Sequence, residues 1–155
     1  MEINKNIESD NDVANDINPL IEKGILIVNT PSEDKHLVEL IESNFNFIGS
    51  KIADKYEYSI VKCSDLAKLS DKQAAEIVQS HILKEGTKFN LLDRIFGIVG
   101  DSYMNYSYIG VLKEIIPHIS VFITLPQHTY FVCDDGQFVF CHTFENDFIF
   151  YKAVE

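Results

Sequence analysis

Four side chains in the last third of the chain, His128, Cys133, Cys141 and His142, are the types from which zinc sites are built. Their spacing argues against it. Cys141 and His142 are neighbours, and neighbours on a strand point to opposite faces, so they cannot readily chelate one ion. No Cys-x-x-Cys or His-x-x-x-His pair supports them. The expectation is buried thiols with half-exposed imidazoles. A Cys-His hydrolase, with Cys141 or Cys63 as nucleophile and His118 or His128 as base, would need a local signature that the sequence lacks. Gly97-Ile-Val-Gly100 follows a helical pattern, which is the wrong context for a dinucleotide loop. Gly86-Thr-Lys88 lacks the upstream glycine and the residue order of a phosphate loop. The carboxylate pairs Asp134-Asp135 and Glu145 with Asp147 could hold a divalent cation, but they fall at turn tips, where acidic residues are common. The sequence thus assigns no catalytic residue, no cofactor and no metal.

One stretch has the make-up of a contact surface. Ser102, Tyr103, Asn105, Tyr106, Ser107, Tyr108 and Gly110 combine the residue types favoured in protein-binding loops, where tyrosine offers a rigid face at small entropy cost. The competing reading buries Tyr103 and Tyr106 as a helix face or an aromatic cap on the core. Charge adds a direction. Thirteen basic and 24 acidic side chains give a net -11, which repels phosphate backbones and anionic lipid and attracts a basic partner. The excess gathers in residues 1–18 and 126–155. The expected partner contacts are Tyr103, Asn105, Tyr106 and Tyr108, rimmed by Asp134, Asp135, Glu145 and Asp147.

These residues need a scaffold, and the patterning predicts an α+β fold. Its sheet is mostly antiparallel, with a C-terminal four-strand meander packed on one face against helices from the N-terminal two-thirds. Ile119 to Tyr151 supplies four β-branched and aromatic runs separated by Pro126, Asp134-Asp135-Gly136 and Glu145-Asn146-Asp147. Asp135-Gly136 suits a tight turn. A two-residue loop sets Tyr130 opposite Cys141 and puts Cys133 and Cys141 on opposite faces. A three-residue loop sets them on one face about 13 Å apart, at ~3.3 Å per residue. Neither register allows a disulfide, which requires Cα atoms within about 7 Å.

Upstream, Gly24 to Asn29 reads as a buried strand and Tyr56 to Lys62 as a second. Thr30, Pro31 and Glu33 start a helix reaching about Asn44, and Ser70 with Gln73 starts another that ends near Gly86. A third helix is expected over Phe89 to Val99, and a fourth from Val111, stopped by Pro117. Residues 1–18 form an acidic arm, mobile or a short helix, ahead of a single domain over 19–155. The opening Met-Glu-Ile-Asn-Lys has neither a basic nor an apolar signal region, and no apolar run approaches the ~20 residues of a membrane helix. With three cysteines and no disulfide framework, the expected location is the cytoplasm.

In size, charge, compartment and want of catalytic motifs, the whole chain resembles the small acidic immunity proteins of bacterial toxin-immunity systems, including contact-dependent inhibition. That resemblance implies a non-enzymatic inhibitor of a basic, nuclease-like toxin, with no direct contact to nucleic acid or membrane. The alternatives are a small ligand-binding or enzymatic domain with a Tyr/His-lined pocket, and a subunit of a larger intracellular assembly.

Overall fold

A computed structural model describes residues 16–44, 47–48, 51–52, 57–62, 69–100, 107–124, 128–143 and 147–152. The fold is α+β. Helix α1 occupies 16–22 and leads through Gly24 into the short strand β1 (Ile27–Val28). Helix α2 (Pro31–Asn44) follows, then the small hairpin β2 (Phe47–Ile48) and β3 (Lys51–Ile52), and strand β4 (Glu57–Lys62). Helix α3 (Asp71–Lys88) precedes β5 (Ile95–Gly100) and β6 (Tyr108–Val111). Helix α4 (Leu112–Ile115), a 3-10 turn (Ile116–His118) and α5 (Ile119–Ile123) lead into β7 (Thr129–Cys133), β8 (Phe138–His142) and β9 (Asp147–Lys152). Seven strands form one sheet in the order β1-β6-β5-β7-β8-β9-β4, each pair antiparallel.

Both expected capping boxes start their helices. The Thr30 N–H donates to Glu33 Oε1 at 3.0 Å and the Glu33 N–H returns to Thr30 Oγ1 at 3.2 Å. That backbone donation, with the hydroxyl's, holds the Glu33 carboxyl below its usual range. Ser70 and Gln73 repeat the exchange at 3.1 and 3.2 Å. Each box satisfies two amides that the first turn would otherwise leave unpaired. Helix α3 passes through Gly86 and ends at Lys88, where Asn90 takes a positive φ of 57°.

The sheet is covered on both faces, not one. On the first face, Phe96, Ile98, Phe131, Phe140, Phe148 and Phe150 lie beneath buried side chains of α1, α3, α4 and α5, including Ile17, Val78, Ile82, Leu112 and Phe122. Aromatic contacts tie the layers together, Phe122 edge-on to Phe131 at 5.4 Å and Phe89 stacked on Phe150 at 5.6 Å. Most of the phenylalanines of the C-terminal strands are therefore taken up by a single face, covered by helices. On the other face Val132, Val139, Cys141 and Tyr151 pack with Leu37 of α2. Gly97 lets α2 come close: a Cβ there would meet Leu37 Cδ1 at 2.7 Å. Not all of this face is covered, since Ile27 is 66% and Ile95 45% exposed.

Five further expectations change. The C-terminal meander has three strands, because Ile119–Ile123 is helical. Its buried residues Ile119, Phe122 and Ile123 recur at helical spacing, and β-branching did not override that period. The expected third helix is strand β5 from Ile95 onward, burying Phe96 and Ile98 at a period of two. The first strand, expected to be buried, is a two-residue edge with both side chains exposed. The boundary at residue 18 falls inside α1, whose Ile17 and Leu20 belong to the core. Pro117 does not end the helical region either. It sits at the start of the 3-10 turn, where its missing N–H breaks no bond. Among the described residues no helix is long and apolar enough to cross a membrane.

Candidate functional site

The register sorts the expected contact residues between opposite ends of the sheet. Val28, Gly100, Tyr108, Thr129, His142, Asp147 and Lys62 mark one end. Cys133, Phe138, Ile95 and Val111 mark the other. Gly100 and Ser107, which flank the Tyr-rich segment, lie at the first end, as does Asp147. Asp134 and Asp135 lie at the second, about 13 Å away along β7 at ~3.3 Å per residue. Asp134 and Asp135 therefore stand at the opposite end of the sheet from Tyr108 and Asp147. Tyr103, Asn105, Tyr106 and Glu145 lie outside the described residues, as does Cys63, and for Asp147 only the backbone is described. Tyr108 is 5% exposed and belongs to the core beneath the helices, so its ring is not offered to a partner.

At the first end a part-buried polar chain runs through Asn29, Ser107 and Asp34, of which only Ser107 was singled out as a candidate above. The Ser107 hydroxyl accepts from Asn29 Nδ2 at 2.6 Å and donates to the carboxylate of Asp34. The Ser107 N–H donates to the same Asp34 oxygen at 3.0 Å, and the Asn29 N–H donates to the Ser107 carbonyl at 3.0 Å. Asn29 and Ser107 are buried. Asp34 sits in the first turn of α2, where the helix amides favour a carboxylate. The chain thus ties the end of β1, the start of α2 and the entry to β6 at one point. Asn29 Oδ1 has no hydrogen-bond partner among the described residues. The sequence offered one clue, a serine closing the Tyr-rich stretch, but nothing marked Asn29 or Asp34 as its partners, 78 and 73 residues away.

Further along the same end, Thr129 of β7 faces His142 of β8, which faces Phe148 of β9. Thr129 and His142 are buried on the helix-covered face, and the His81 ring of α3 meets Phe148 edge-on at 6.0 Å. Thr129 Oγ1 and His81 Nε2 have no hydrogen-bond partner among the described residues. Burial holds the His81 pKa below its ordinary value, against the pull of Glu85 one turn on. Thr129 and Phe148 stand two strands apart, about 10 Å at ~4.8 Å per strand. These groups form a row and do not converge on one reacting atom. The imidazoles of His128 and His142 are buried, where half-exposed rings were expected.

The hairpin at the second end carries another cluster of chemical groups singled out above. The pairing of Tyr130 with Cys141 is that of the two-residue register, although the turn spans Asp134 to Gln137. The Gly136 N–H closes it on the Cys133 carbonyl at 2.8 Å, with Gly136 at φ 72°. Cys133 faces the large core and Cys141 the smaller one, both buried. Cys133, Asp134 and Asp135 bring ligand atoms within 4.8 Å of one another. The chemistry there is already committed. Arg94 bonds Asp134 and reaches Asp135 at 3.0 Å, and those two bonds raise its pKa. Burial would raise the Asp135 carboxyl, but donation from the Gln137 N–H and from Arg94 outweighs it and leaves it lowered. Burial pushes the Cys133 thiol up to about 12, so it stays protonated and donates to Asp134. A protonated thiol and two carboxylates held by a guanidinium do not suit a cation. Arg94 is the chain's only arginine, which was the signal that could have pointed to this pairing.

Compared with protein-family models, curated proteins and solved structures, the chain matches none.

Proposed function

We propose that this protein is a non-enzymatic, cytoplasmic binding protein that neutralises a basic protein partner, of the nuclease-like toxin class that immunity proteins oppose. The observation that carries this reading is the net charge of -11. Such a charge steers a cationic partner inward and discourages nucleic acid and anionic membranes. Carboxylates substitute for the phosphates that a nuclease grips. The part-buried Asn29–Ser107–Asp34 chain supports it, because it anchors the strand that directly follows the Tyr-rich segment. A contact surface held at its root loses less entropy on binding. Asp134 and Asp135, already sharing Arg94, contribute at most a weak rim, so the contact region centres on Tyr103, Asn105, Tyr106, Glu145 and Asp147.

The test starts from the adjacent gene's product, co-purified with this protein and titrated against it at 50 and 150 mM salt. The expected result is a cationic toxin whose affinity falls at least about tenfold over that range. An affinity indifferent to salt overturns the steering argument, and a neighbour with no toxic or cationic product overturns the immunity assignment.

A further inference from the structure

We draw no further inference here: the strongest candidate, the partly exposed apolar strip that Ile27, Ile109, Val111 and Ile95 form across β1, β6 and β5 on the α2 side of the sheet, carries nothing because nothing in the structure shows what covers it.

Discussion

The two faces of the sheet use the same strands for unequal work. On one, five phenylalanines from β5, β7, β8 and β9 lie sealed beneath four helices. On the other, a smaller cluster meets Leu37 and Leu40 of α2, and the β1–β6–β5 side is left partly open. Because strand side chains alternate, neither face can be changed in register without exchanging with the other. Stability should therefore reside mainly in the aromatic face, which frees the α2 face to hold backbone segments in place.

That asymmetry can be broken by experiment. Phe140→Ala should cost about 3–5 kcal/mol in a chemical denaturation series, whereas Leu37→Ala should fall near about 2 kcal/mol. Equal losses would show that the faces share the load. Next in size, Ser107→Ala removes the middle of the part-buried polar chain and should destabilise by about 1–3 kcal/mol. The same variant should speed amide exchange at Asn29 and Asp34 more than in β8. Uniform exchange would show that the chain does not localise the start of α2.

On the aromatic face, His81 should make stability depend on pH. Its folded pKa lies below the ordinary value near 6.5 because burial disfavours the charged ring. Between those two values the unfolded chain takes a proton that the folded one refuses. Stability is thus full above about pH 6.5 and declines as pH falls toward the folded pKa. The slope stays well below about 1.4 kcal/mol per pH unit, since the ring is only part-buried. His81→Gln should flatten that decline in denaturation midpoints taken from pH 7.5 to 5.5, and an unchanged profile would assign it to other groups. Smallest of all, Arg94→Ala should shift stability by no more than about 1 kcal/mol, because the guanidinium and both carboxylates are half-exposed. A larger loss would make the hairpin end a structural keystone.

Local signals were legible wherever a few adjacent residues decide the outcome. The Thr30 and Ser70 capping boxes and the turn at Gly136 rest on contacts within a handful of positions, and the strand at Glu57–Lys62 on its alternating pattern. The register that sets the two cysteines on opposite faces, by contrast, was one of two the sequence allowed. The charge excess and the α+β class follow from composition and from the order of runs. Tertiary packing decided the rest. Gly97 falls within an expected helix when read along the chain, yet in space it is where Leu37 approaches β5. Ile119–Ile123 carries both a β-branched composition and a helical period, and burial of Ile119, Phe122 and Ile123 against the sheet chose the helix. Partners 78, 73 and 40 residues apart, Asn29 and Asp34 with Ser107 and Arg94 with Asp134, have no local signature. Their meeting depends on which strands become neighbours, and that is set by how the helices close over both faces of the sheet.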